Sequence, residues 1–346
     1  MNPEIMHFTD AQLKALSLKY KIRPGLLCAL PPFCAVEPAL PPVLDEAQEV
    51  ALNLALRPLN VTDAAVLLAN DGLMYMRLSM RGELGVLTGR EDDANALLPC
   101  EAGDFATTVM AHLARGGEPL KRATALDISP NAFLLLLAAA DAYKMQYLED
   151  LLSHSVADVK LTTDALERAV GEAYENADLR WLLPFALFRM EQIPWLDIQS
   201  ALDELSELGV LEPDSLTFTG DGELFVDDLM FRSGVADVSS VYMQGEALAR
   251  SHVLFIRTLN TLWGVRFGDG DVSILSLTID EACEMMAAML TQKDEPGDRE
   301  EPATETEREA KAQQTVARPT SKFCHNCGSK LSATAAFCGN CGTKLG

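Results

Sequence analysis

The chain has 346 residues, with 28 lysines and arginines against 51 aspartates and glutamates, giving a formal net charge of −23. Hydrophobic residues at 48% and charged residues at 23% exclude a wholly disordered chain, and the length calls for more than one folded unit. The acidic surplus repels phosphate and anionic lipid, which argues against nucleic acid as a partner.

The start, Met1-Asn2-Pro3-Glu4, has neither the basic residues nor the apolar stretch of a secretory signal, so the chain is expected in the reducing cytoplasm. The segment 44–60, LDEAQEVALNLALRPLN, reads as an amphipathic helix running into an extended exit. It aligns without a gap on 196–212, LDIQSALDELSELGVLE, and this pairing suggests an internal duplication. Alternating, turn-bounded runs follow each helix: AAVLLANDGLMYMRLSMRGELGVLTGR in the first half and SLTFTGDGELFV in the second, with NDG and GDG as hairpin turns. The second half then inserts a polar stretch before HVLFIRTLNTLWGVRFGDGDVSILSLT, which reads as three strands. Helices at 104–113 and 280–290 close the two halves.

Between them, Ser129-Pro130 is a capped helix start whose apolar pattern runs to about His154. The nine-residue run Ala132 to Ala140 is too short to cross a bilayer and reads as a buried helix, so no membrane insertion is expected. Thr163 caps a further helix, and 178–190 makes another, interrupted at Pro184. The fold class is α+β, with two quasi-repeated helix, antiparallel meander, helix halves around a helical block. The divisions are 1–125, first half; 126–194, helical block; 195–292, second half; 293–320, disordered linker; and 321–346, zinc ribbon. The linker carries one large aliphatic residue, Val316, and no aromatic, so it cannot offset its ordering entropy. Its −3 and the ribbon's +3 cancel, and residues 1–292 keep the whole −23.

The sharpest motif is written twice at a period of fourteen: Phe323-Cys324-His325-Asn326-Cys327-Gly328 and Phe337-Cys338-Gly339-Asn340-Cys341-Gly342. Two residues between cysteines place both thiolates on one ion, and the following glycine turns backbone N–H groups toward sulfur. Cys324, Cys327, Cys338 and Cys341 are therefore the expected ligands of one zinc ion. Four thiolates leave no site for water or substrate, so the ion is structural. The other readings are two reduced pairs or a redox C-x-x-C, and neither explains the paired glycines and phenylalanines in a segment with no other core. The segment resembles the short zinc-ribbon modules appended to many bacterial and archaeal proteins, which serve as docking, oligomerisation or nucleic-acid modules.

No catalytic constellation stands out. His7, His112, His154, His252 and His325 fall in no metalloprotease pattern, and no G-x-G-x-x-G, Walker loop or G-x-S-x-G occurs. Gly268-Asp269-Gly270-Asp271 reads as a hairpin turn, not a calcium loop. Cys28, Cys34, Cys100 and Cys283 are scattered, and Cys28 and Cys34, which flank Pro31-Pro32 with no basic partner, read as buried structural thiols. The segment 197–226 suggests the recognition helix and wing of a winged-helix domain, yet it carries Asp197, Asp203, Glu204, Glu207, Glu212 and Asp214 where phosphate contact demands lysine or arginine.

The layout, with FTDAQLKALSLKYKI (8–22) and LDEAQEVALNLALRPL preceding the sheets, resembles the EspG family of cytosolic chaperones for type VII secretion substrates. That resemblance implies duplicated α+β halves and a protein client. The expectation is a non-enzymatic cytoplasmic adaptor or chaperone that holds a protein client on its acidic body, with the ribbon as a docking module that can also self-associate. The alternatives are a nucleic-acid-associated regulator using the winged-helix-like segment and the ribbon, and an enzyme whose groups come from distant segments.

Overall fold

A computed structural model describes residues 4–291, apart from 31, 34, 69–71, 116, 156–160, 177, 190–195, 213–214, 246 and 269. The chain divides into two units, Met1–Asp294 and Glu295–Gly346, and the linker and ribbon expected at 293–346 lie outside the described residues.

The first half runs β1 (Met6–Thr9), α1 (Asp10–Lys19), α2 (Glu46–Leu56), β2 (Asn60–Leu68), β3 (Gly72–Arg81), β4 (Leu84–Glu91), β5 (Ala94–Pro99) and α3 (Ala102–Leu113). The rest is β6 (Ala125–Ile128), α4 (Pro130–Leu152), α5 (Thr163–Glu175), α6 (Leu182–Arg189), α7 (Ile198–Glu207), β7 (Leu211–Glu212), β8 (Thr217–Phe218), α8 (Gly220–Met230), β9 (Arg232–Gln244), β10 (Ala247–Thr258), β11 (Leu262–Phe267), β12 (Val272–Leu277) and α9 (Ile279–Leu290). Ten strands make one antiparallel sheet in the order β1-β5-β4-β3-β2-β9-β10-β11-β12-β6. This order is a palindrome about the β2–β9 ladder.

The duplication is thus real, and its registers coincide. The pair Val86↔Pro99 of β4–β5 maps onto Trp263↔Ser276 of β11–β12, each residue moved by 177 positions. The same shift carries α3 onto α9, twelve residues each, and Glu101 at the first cap onto Thr278 at the second. At the sheet edges Met6↔Leu97 maps onto Leu126↔Ile274, and both edge strands lead into helices capped by a hydroxyl, Thr9 and Ser129.

Three sequence expectations change. The mate of α2 is α8, which like α2 has eleven residues and precedes its half's central strand, whereas α7 leads into the two-residue β7. The alignment of 44–60 on 196–212 matched two similarly capped amphipathic helices: Asp45 accepts from the Gln48 N–H and Asp197 from the Ser200 N–H. The GDG at 220–222 opens α8 rather than a hairpin, because Phe225, Val226 and Leu229 bury at helical spacing. Gly222 is required by close approach, since a Cβ there would lie 2.2 Å from Val210 Cγ1. The polar stretch after residue 231 is β9, a thirteen-residue strand at the sheet centre. Its Asp237 and Ser240 side chains are buried but partnered. Ser240 donates to Asn60 Oδ1 at 2.5 Å and accepts from Thr62 at 2.9 Å, and His252 Nε2 meets Asp237 at 2.5 Å.

Smaller corrections concern the helices. Thr162, not Thr163, caps α5, and Pro184 sits in the first turn of α6, where it breaks no helical hydrogen bond. The block read as 126–194 belongs to the second half: β6 completes that half's sheet, and α4 occupies the place that α1 has in the first.

One face of the sheet carries α3 and α9, which share a core with β2, β3, β9 and β10 through Phe105, Leu78, Phe255 and Met286. The opposite face is covered in two parts. α1 and α2 bury Leu13, Leu16, Leu52 and Leu56 over β1, β4 and β5, while α4 to α8 build the largest core over β9 to β12. α4 is buried from Ala132 to Ala142, and no helix among the described residues is long and apolar enough to cross a membrane.

Gly222→Ala is expected to cost about 1–3 kcal/mol through overpacking on Val210. Gly171→Ala, on the open side of α5, should gain about 0.5–1 kcal/mol. Urea midpoints of the two variants should move in opposite directions, and a shared direction would contradict the packing.

Candidate functional site

The four expected zinc ligands, Cys324, Cys327, Cys338 and Cys341, lie outside the described residues, as do His325 and Cys34. Among the described residues no group of three or more His, Cys, Asp or Glu side chains could hold a metal ion. Cys100 and Cys283 are free thiols. Burial pushes the Cys100 thiol up to about 11, with the Asp104 and Glu101 carboxylates adding to the rise. Cys283 is raised for the same reasons, burial first and then Asp280. Thiols held protonated are poor nucleophiles.

Two of the histidines are tied to local structure. His7 Nε2 lies 2.8 Å from Glu91 on the surface, and His252 stacks on Phe267 at 4.5 Å while bonded to Asp237. Across β2 and β3, Arg77 makes a two-pronged pair with Asp63 at 2.6 and 3.0 Å and also donates to Tyr75 Oη at 3.0 Å. These charges are spent on cross-strand pairing.

A further buried carboxyl is Asp141. The sequence placed it only as the end of an apolar run. Its two oxygens accept from the N–H groups of Leu182 and Leu183 at 3.1 and 2.9 Å, tying the start of α6 to α4. Burial outweighs these bonds and the nearby Arg232 and Lys144 charges, and the carboxyl rises from 3.8 to about 6. It borders a shallow groove between α4 and α5 beside Met145 and Trp181.

A different kind of surface lies on the first half. The N-terminal part of α2, the start of β4 and the end of β5 enclose an open apolar cleft of about 570 Å³. Ala47, Val50 and Leu54 line it from α2 at helical spacing, facing Leu84, Gly85 and Pro99. Val50 is 44% exposed and Leu84 57%, while Asp45 and Glu46 stand at the rim. The capping box fixes that end, because the Gln48 side chain in turn accepts from the Asp45 N–H at 3.1 Å. The floor needs Gly85, since a Cβ there would come within 2.6 Å of the Cys100 carbonyl oxygen. The cleft has apolar walls and little polar equipment, which suits an apolar segment of another molecule rather than bond-making chemistry. One faint signal of it is Leu84, an apolar residue beside the Gly82-Glu83 turn.

The winged-helix reading of 197–226 does not survive. The expected wing is α8, and Glu204 of α7 is engaged by the Ser129 N–H at 2.7 Å.

The family model of a zinc-ribbon domain matches residues 323–345. The C-terminal segment is a zinc ribbon, and zinc binding follows from it. No curated protein matches the chain. Among solved structures, the chain is similar to the Mycobacterium tuberculosis type VII secretion system chaperone EspG5, solved in complex with a PE25–PPE41 dimer. The identity is 10% and the TM-score 0.46, over 86% of this chain and 99% of that one.

The raised Asp141 sets a pH dependence. Between about pH 4 and 6 the native carboxyl holds a proton that the unfolded chain, at 3.8, releases, so this group makes the fold less stable as pH rises through that window. Asp141→Asn is expected to flatten that slope. Urea stabilities at pH 4.5 and 7 should then show the wild type losing on the order of 2 kcal/mol more than the variant. Parallel losses would contradict the assignment.

Proposed function

We propose that the chain is a cytoplasmic adaptor or chaperone that catalyses no reaction and binds a protein client through its acidic α+β body. The observation that carries this reading is the open apolar cleft between α2 and the β4–β5 end of the sheet, with Val50 and Leu84 exposed in it. Exposed apolar surface of this kind, rimmed by charge, marks protein contact sites. The protonated thiols and the paired His252 favour a binding role over a nucleophile or a base. In this reading the ribbon holds a single structural zinc through Cys324, Cys327, Cys338 and Cys341, and acts as a tethered docking module.

Native mass spectrometry of the full chain, isolated with its partners, tests both parts. The expected result is one zinc per chain and one stoichiometric protein client, with the zinc removed by a chelator and the client retained. A type VII secretion substrate, the client class implied by the sequence resemblance, is the first to add in purified form. No client from the native source and none among added substrates would overturn the adaptor reading. Retention of zinc by a Cys324→Ser, Cys338→Ser chain would overturn the four-cysteine site.

A further inference from the structure

The connection from α1 to α2, residues 20–45, forms no helix or strand among the described residues, and loops of that length inside a compact body usually carry a function. Its last part, Glu37-Pro38-Ala39-Leu40-Pro41-Pro42-Val43, takes its shape from its prolines. Each proline fixes its own φ at about −65°, and Glu37, Leu40 and Pro41, which precede a proline, are pushed to extended backbone, so the segment is biased to polyproline II along its length. That helix has three residues per turn and therefore three edges. The observed contacts follow the same period. On one edge the segment is fastened to the body: the Val36 carbonyl accepts from Lys14 Nζ, the Ala39 N–H donates to the Ala11 carbonyl at 3.1 Å, and Pro42 is half-buried. On the next edge Glu37, Leu40 and Val43 stand in solvent, and on the third Pro38 and Pro41 are exposed. Leu40 at 91% and Val43 at 90% are the most exposed large apolar side chains among the described residues, and they lie one turn apart on a strap anchored by the buried Phe33 and Leu44.

We propose that residues 37–43 are a docking strap, read as a preformed polyproline II edge by an aromatic-lined, basic-rimmed groove on a partner protein. This goes beyond the adaptor reading, since the strap reaches a partner outside the client cleft. A strap already held in its bound shape has little conformational entropy left to lose, and its proline rings offer flat apolar surface to flat aromatic side chains. Pro38-Ala39-Leu40-Pro41 has the spacing that puts two prolines on one edge, roughly 9 Å apart. Leu40 and Val43 on the adjoining edge supply aliphatic side chains for the same groove. Charge sets its rim. Glu37 stands at one end of the strap and Asp45 and Glu46 lie just past the other, with no lysine or arginine between them, so the complementary rim is basic. Pairing as an added β-strand is not served, because three of these residues are prolines and lack the N–H that a ladder needs.

The probes are two forms of one nitrogen-15-labelled SH3 domain, a fold whose groove of aromatic side chains reads polyproline II. One form keeps the acidic residues of its groove rim and the other has them changed to lysine. Each is titrated with the full chain and followed by NMR. The expected result is binding of the lysine-rimmed form at least tenfold tighter than the acidic one, with shift changes at the groove aromatics. Leu40→Ser with Val43→Ser should weaken it at least tenfold, and Leu148→Ser on α4 should leave it unchanged. Leu40 and Val43 touch little of the body, so the double variant should keep the wild-type melting temperature, which circular dichroism checks. No binding of either form, equal binding of both, or indifference to the double substitution would overturn the proposal. A lowered melting temperature of the double variant would also overturn it, because the outward edge would then belong to the fold. So would concentration-dependent dimerisation abolished by the same substitutions, since the strap would then pack on a second copy.

Discussion

The ladder between β2 and β9 holds the architecture together. Nine residue pairs, from Asn60↔Tyr242 to Leu68↔Gly234, join two half-sheets that would otherwise end in exposed strands of 9 and 13 residues. Long unpaired edges invite aggregation, and pairing them with each other removes both at once. The outer edges that remain are the short β1 and β6, four residues each. The seam is unusually polar for a sheet centre, and Asn60, Thr62 and Ser240 in it form a bonded cluster. Asn60 donates to the Leu290 carbonyl at the end of α9 at 2.9 Å, while Thr62 and Ser240 bond to each other and to Asn60. Leaving one of them unpartnered costs about 1–3 kcal/mol, so the cluster fixes the register in which the halves meet.

From that seam the symmetry runs outward, and the departures from it are where function is to be sought. On one face α3 and α9 are equivalent and share a single core. On the other face α1 has ten residues where α4 has 23, and the extra length carries the added helices α5 to α7. The second half is thereby closed, its end groove held by the 118–124 connection. The first half keeps its groove open and apolar. An apolar cleft costs free energy to leave in water, and exposed surface of this kind marks contact sites.

Much of this was legible in the sequence, and the failures have physical causes. Hairpins marked by NDG and GDGD were found because only a few residues tolerate tight turns, and β2–β3 and β11–β12 pair across those positions. The buried helix at 132–140 was found from its unbroken apolar run. β9 was missed because strand propensity is read from apolar alternation, while Asp237 and Ser240 bury polar groups whose partners are 15 and 180 residues away. GDG at 220–222 misled because glycine serves a hairpin and a close helix approach equally well. The duplication was legible, but its helix pairing was not, since side-chain caps recur on helices throughout the fold, on α7 as on α2, whereas α8 has none. The cleft itself had almost no local signature: it is made by α2 meeting strands about 30 to 50 residues further on. The ribbon was the reverse case, a site written entirely in local spacing.

The account stands or falls on where the client touches the body. Hydrogen–deuterium exchange of the full chain with and without its bound client measures this directly. The expected result is protection concentrated in α2 and at the facing ends of β4 and β5, with the mirror-related α8 and the start of β11 unchanged. Protection confined to other surfaces, such as the α4–α5 groove near Asp141, would contradict it.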